Sequence, residues 1–126
     1  MRYDYAPDLK ERLSEIVIKL NMDHVDLNRV ECLRSFGSST KRTIARCHTI
    51  GKVMQKGMKA PAFYTIEFLE KFDKLSMSDQ DKVIIHELLH IPKTFSGALK
   101  SHSARHYKVD HNEVEKYFKN LELIED

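Results

Sequence analysis

A His-Glu-x-x-His motif interrupts an apolar segment of the chain at His86, Glu87 and His90. On a helix, side chains four residues apart lie one above the other on the same face. Two neutral imidazoles at this spacing can hold one Zn²⁺. Glu87 lies about 100° around the helix from His86, where it can reach a water on the metal but is poorly placed to be a ligand. Two histidine ligands with a glutamate as general base are the pattern of metallopeptidases.

The residues around the motif predict a helix over about 79–91, with Ser78 as its N-cap, acidic residues in its first turn and Pro92 as its stop. The apolar residues fall on the side away from the two histidines; they are Ile84, Ile85, Leu88, Leu89 and Ile91. One face therefore packs into a core while the other presents the ligands. Chance placement of the histidines and glutamates gives roughly 0.03 such motifs in a chain of this composition, which favours a metal site over an ordinary buried helix with two surface histidines.

A catalytic zinc usually has three protein ligands and an open position for water, so a third ligand must come from elsewhere in the chain. The candidates downstream of the motif are His102, His106, His111, Glu113 and Glu115. His102 is preferred because a short loop that contains glycine precedes it and lets the chain turn back towards the helix. His106 is the alternative, either as a ligand or as a hydrogen-bond donor in the transition state, a role for which Arg105 and Tyr107 are also candidates.

The length of 126 residues, with 41% hydrophobic and 32% charged residues, suits one domain over residues 1–126. No apolar run approaches the ~18 residues of a membrane span, and the N-terminus does not read as a signal peptide, so we expect a cytoplasmic protein. Cys32 and Cys47 form no Cys-x-x-Cys pair, and we expect them to be reduced and half-buried. His24 is expected to be solvated, and His48 is expected to be structural or solvated.

Hydrophobic periodicity predicts an α+β fold in which a small sheet of three or four strands packs on two or three helices. The expected helices cover residues 7–21, 79–91 and the segment from about Asp110 onwards, and a single helical turn is expected near 53–56. The expected strands cover residues 29–35, 43–48 and 62–69.

The segment from His86 to Gly97, followed by Leu99 and His102, resembles the metallopeptidases of phages and archaea, a zincin-like family distantly similar to SprT-type proteases. The resemblance extends over about residues 30–105 and includes Arg34-Ser35-x-Gly37-Ser38, Ala45-Arg46 and Tyr64-x-Ile66-Glu67. It implies a zincin-like fold, metal ligation by His86 and His90, catalysis by Glu87, and His102 as the downstream ligand. His106 is an extra histidine in this comparison, which leaves the third ligand open.

The same resemblance implies that an edge strand beside the metal helix aligns the substrate by adding the peptide as a further strand. We assign this role to the strand at 62–69, which directly precedes the helix. Only main-chain groups need take part.

Seven basic and no acidic residues lie between Arg34 and Lys59. A basic patch with serines and glycines can hold phosphates, and SprT-type proteases act on proteins attached to DNA. Lys41, Arg42 and Arg46 are therefore candidate nucleic-acid contacts, although a solvated basic surface is the favoured explanation of the composition.

The leading hypothesis is a zinc-dependent peptidase that acts on a protein or peptide substrate. A metal-dependent nuclease is the first alternative, but such an enzyme needs no glutamate at position 87. A DNA-associated module with a structural zinc is the second alternative, and the absence of a cysteine near the motif argues against it.

Overall fold

A computed structural model describes residues 1–100 and 111–125 of the chain. Within these ranges it contains four α-helices and one four-stranded sheet, which confirms the predicted α+β class. The strands are β1 (Arg2–Tyr5), β2 (Val30–Phe36), β3 (Ala45–Thr49) and β4 (Tyr64–Phe68); the helices are α1 (Pro7–Lys19), α2 (Lys52–Met58), α3 (Met77–Leu89) and α4 (His111–Glu125). Short 3-10 helices cover Leu27–Arg29 and Glu70–Lys74. Among the described residues, no helix has the length and apolar content needed to cross a bilayer.

The strands lie in the order β1-β2-β4-β3. β2 and β4 are parallel, whereas β1 and β3 pair antiparallel to their neighbours. The strand predicted at 62–69 is therefore an interior strand, and its assignment as the edge strand that receives a substrate was wrong. β3 occupies that edge of the sheet, because it follows β2 in the chain but pairs with β4 in space.

The core lies between one face of the sheet and the helices. Val30 and Cys32 of β2 and alternate residues of β4 point into it, and Cys32 and Ile66, which are partners in the parallel register, are both fully buried. The helices add an apolar stripe from α1, comprising Leu9, Leu13, Ile16 and Val17, and one from α4, comprising Val114, Phe118 and Leu121. Both stripes have the three- and four-residue spacing that buries one side of a helix.

The N-cap of α3 is Ser76, not the predicted Ser78. The Ser76 hydroxyl accepts a hydrogen bond from the main-chain N–H of Asp79 at 3.2 Å, so the helix begins at Met77. It ends at Leu89, two residues before the predicted end. The N–H of His90 bonds to the carbonyl of Glu87 at 3.2 Å, which tightens the last turn and closes the helix ahead of Pro92.

Both cysteines are free, as predicted. Cys32 is more deeply buried than expected, and burial raises the pKa of both thiols to about 12. They are therefore protonated at neutral pH and are poor nucleophiles or metal ligands.

Candidate metal centre

Helix α3 presents the motif because its two sides differ in polarity. Ile84, Ile85 and Leu88 are fully buried against the core, whereas His86 and His90 are partly exposed on the other side. This is the division that the apolar spacing predicts.

The imidazoles of His86 and His90 lie side by side, with their Nε2 atoms 3.3 Å apart and their ring centroids 5.0 Å apart. Two nitrogens bound tetrahedrally to one zinc at about 2.05 Å are separated by about 3.3 Å. The two side chains therefore already have the spacing that one ion requires. The residues present fit a zinc site, although their role as ligands stays a prediction.

The orientation of the His90 ring is set by the chain that follows the helix. Its Nδ1 hydrogen-bonds to the main-chain carbonyl of Lys100, and the N–H of Lys100 donates to the carbonyl of His90 at 2.8 Å. Because a carbonyl only accepts, Nδ1 must carry the proton. In the neutral ring, the lone pair then lies on Nε2, the nitrogen that faces His86.

Glu87 is buried, with a relative exposure of only 5%. Its Oε2 atom is 4.0 Å from Nε2 of His86, and the ligand atoms of His86, Glu87 and His90 all lie within 4.8 Å of one another. Burial raises the pKa of Glu87 to about 7. No hydrogen bond to this carboxylate occurs within residues 1–100 and 111–125. Glu87 thus lies beside the histidine pair and can exchange a proton there.

A cleft with a volume of about 570 Å³ opens beside His86 and Glu87. Its walls include apolar side chains from the start of β3, from α3 and from α4, namely Ile44, Ala45, Val83 and Val114. Arg42 and Lys82 also line it. The cleft is large enough to hold part of a peptide next to the histidine pair.

The candidates for the third ligand fall into two groups. His102 and His106 lie outside the described residues, as do Arg105 and Tyr107, the other candidates for a transition-state donor. Of the others, His111 has a side chain that is 84% exposed, and Glu115 forms an ion pair with Lys82 at 3.0 Å. In the described part of the chain, the cluster that could hold an ion consists of His86, Glu87 and His90 alone, without His111, Glu113 or Glu115.

The basic stretch lends no support to nucleic-acid contacts. Arg34 is held by two carboxylates, with hydrogen bonds to Asp8 at 2.7 Å and to Asp73 at 3.0 Å. Arg46 is exposed and lies opposite Glu67 in the β3–β4 register, where its charge contributes to lowering the pKa of that carboxyl group. Lys41 and Arg42 are exposed in the loop before β3.

Two features of the centre could not be predicted from the sequence. The carbonyl of Lys100 contacts His90 through the main chain, so no side-chain pattern marks it. His24, expected to be solvated, is instead partly buried, and it lies close to the main chain of Ile91, one residue after His90. Its burial lowers the pKa of the imidazole. The four-residue spacing of His86 and His90 was the one strong signal in the sequence.

The comparisons with known proteins identify one family. A family model described as "Putative phage metallopeptidase" matches residues 1–124. No curated protein and no solved structure matches the chain.

Proposed function

The chain belongs to the family described as putative phage metallopeptidase, and we propose that it is a zinc-dependent endopeptidase formed by one zincin-like domain over residues 1–126. The observation that carries this proposal is the 3.3 Å separation of the His86 and His90 Nε2 atoms beside the buried Glu87. Family membership implies a metal and a protein or peptide substrate. Zinc, the ligand set and the roles of individual residues are our proposals.

His86 and His90 would hold the ion through Nε2, and His102 is the preferred third ligand. A bound zinc supplies Lewis-acid activation of water and polarises the scissile carbonyl. The hydrogen bond from His90 to Lys100 keeps the His90 lone pair directed at the ligand position. Nitrogen ligands at this distance suit zinc, for which tetrahedral geometry is usual in protein sites.

Glu87 is the proposed general base. It accepts a proton from the attacking water and then delivers that proton to the leaving amine. Its carboxylate is buried and makes no hydrogen bond to the described residues, so its oxygens are available to the water. The adjacent cleft gives a peptide access to both Glu87 and His86.

The substrate would lie along the outer edge of β3, with which no other strand pairs among residues 1–100 and 111–125. The N–H of Leu69 donates to the carbonyl of Ile44 at 2.9 Å, so Ile44 bonds inward to β4. In an antiparallel strand, successive residues direct their main-chain groups to opposite sides, so those of Ala45 and Cys47 point away from β4. A peptide can pair with them as a fifth strand and bring its scissile bond to α3.

The deciding experiment incubates the protein with casein and with RNA, each with and without a chelator. We expect cleavage of casein that the chelator abolishes and added Zn²⁺ restores, while RNA stays intact. Metal analysis of the same preparation should find about one zinc per chain. Chelator-insensitive casein cleavage, or hydrolysis of RNA alone, would contradict the proposal.

A further inference from the structure

The loop that follows α3 is attached to the centre of the sheet by one phenol group. The hydroxyl of Tyr64, on β4, donates a hydrogen bond to the carbonyl of Ala98 at 2.8 Å and accepts one from the N–H of Gly97 at 2.9 Å. Tyr64 is fully buried, and its ring packs edge-on against Phe95 at 4.8 Å. The hydroxyl thus fixes two consecutive residues of the loop.

A side-chain amide attaches the same loop to α2. Nε2 of Gln55 donates to the carbonyl of Ser96 at 2.9 Å and to that of Ile50 at 2.8 Å. The loop approaches so closely that a Cβ at Gly97 would lie 2.1 Å from Nε2 of Gln55. Gly97 also has φ = +94°, a conformation that side chains disfavour. Glycine is therefore required here for the contact to form.

These attachments end two residues before the main-chain carbonyl that orients the ring of His90. Ala98, held by Tyr64, is followed by Leu99 and then by Lys100, whose carbonyl accepts from Nδ1 of His90. A displacement of the loop would move this acceptor and let the His90 ring rotate. In proteins, partners of this kind fix both the tautomer and the direction of a histidine ligand.

We propose that Tyr64 and Gln55 are positioning residues of the metal centre, acting through the loop at 96–100 on His90. The proposal rests on the proposed function, because it takes His90 to be a metal ligand. Neither residue would touch the ion or the substrate. Their loss should therefore weaken metal binding by misdirecting one ligand rather than by removing it.

If Tyr64 and Gln55 had a purely structural role, they would make the same hydrogen bonds, but their loss would not change the affinity for the metal. Gln80 provides the matched control, because its amide also donates to two main-chain carbonyls, those of Phe72 at 3.1 Å and Leu75 at 3.2 Å. It lies near the other end of α3, away from the histidine pair. Gln80→Met therefore removes two bonds of the same type as Gln55→Met, together with the bond that Arg12 donates to the Gln80 side-chain oxygen at 2.7 Å, at a place that does not lead to His90.

The experiment compares Tyr64→Phe, Gln55→Met and Gln80→Met in the full chain. Zinc affinity is measured by competition with a chromophoric chelator, and the ligand geometry by the visible spectrum of the Co²⁺-loaded protein. We expect the first two variants to bind zinc about tenfold more weakly and to change the Co²⁺ spectrum. Gln80→Met should leave both properties as in the wild type, even where its thermal stability falls.

Unchanged zinc affinity and Co²⁺ spectra in Tyr64→Phe and Gln55→Met would overturn the inference, as would an equal loss of affinity in Gln80→Met. Because Gln55 is a partly exposed residue of a surface helix, Gln55→Met keeps the test decisive should Tyr64→Phe not fold. Wild-type protein that binds no zinc would refute the proposed function itself. If the wild type binds zinc and Tyr64→Phe and Gln55→Met bind it equally well, only the positioning role is refuted.

Discussion

The imidazole of His48 lies 2.8 Å from the carboxylate of Glu67, across the antiparallel pair of β3 and β4. Glu67 belongs to the interior strand, and its side chain is only 7% exposed. Burial alone would raise the pKa of Glu67, but the neighbouring Ser35 hydroxyl and the hydrogen bond to His48 more than offset it, so that the pKa lies below its ordinary value. This pair holds the edge strand, on which we place the substrate, to the centre of the sheet.

Glu67→Gln should destabilise the protein at neutral pH and leave it nearly unaffected in acid. A carboxyl group with a lowered pKa stabilises the folded state above its unfolded value, here 4.5, and loses that contribution as the pH falls through the folded value. We expect a loss of about 1–2 kcal/mol in the free energy of unfolding at about pH 7, from one hydrogen bond to a charged group.

Urea unfolding of the wild type and Glu67→Gln at about pH 7 and about pH 3 measures this difference. Glu70→Gln, at an exposed position on a 3-10 helix, is the control and should show little effect at either pH. A difference between wild type and Glu67→Gln that is as large in acid as at neutral pH would disprove the ionic origin.

Local patterns predicted the elements that bury one clear face. Ile84, Ile85 and Leu88 have helical spacing and are fully buried, and the two histidines project from the opposite side. β1 (Arg2–Tyr5) could not be predicted in this way, because all four of its residues are exposed and only pairing with β2 makes it a strand.

The strand order depends on contacts between distant parts of the chain, which periodicity does not encode. In β4, four of five residues are buried, yet its sequence alternates apolar and polar residues, so its interior position could not be predicted from the pattern. At the metal centre, the spacing of His86 and His90 could be predicted because it is local. The contact of the Lys100 carbonyl with His90 could not be predicted, because every residue carries the same main-chain carbonyl.

Glu87→Gln should keep the metal and abolish hydrolysis. Glutamine has nearly the same shape but cannot take up the proton, so a loss of about 10²–10⁴-fold in kcat/KM is expected from removal of a general base. Metal content by elemental analysis should match that of the wild type. Turnover equal to that of the wild type would refute the role assigned to Glu87.

His102→Ala and His106→Ala should separate the two candidates for the third ligand. If His102 is the ligand, its variant should bind zinc at least tenfold more weakly than His106→Ala, because loss of a coordinating nitrogen costs more than loss of a neighbouring group. Zinc competition measures the affinity directly. If His106→Ala shows the larger loss, the assignment must be exchanged.

Alanine at two glycines should change stability in opposite directions. Gly97→Ala puts a Cβ 2.5 Å from the carbonyl of Ile50 at a residue with positive φ, so we expect a loss of about 1–3 kcal/mol in the free energy of unfolding. At Gly57, in α2, a Cβ would meet nothing within 4 Å, so Gly57→Ala should gain about 0.5–1 kcal/mol. Urea denaturation measures the stability of both variants. A stabilised Gly97→Ala would show that the loop approaches Ile50 and Gln55 less closely than these distances indicate.

Ala45→Pro should weaken substrate binding while sparing the metal. The N–H of Ala45 points away from β4, so its removal costs no bond within the sheet, and the first residue of an edge strand tolerates proline. A peptide that pairs with this edge would lose one main-chain hydrogen bond, and we expect KM to rise about three- to tenfold. Arg46→Pro is the control: its N–H points towards Glu67, so that variant should lose stability. Steady-state kinetics with a peptide substrate and zinc competition test the prediction, and an unchanged KM for Ala45→Pro would exclude this edge as the substrate strand.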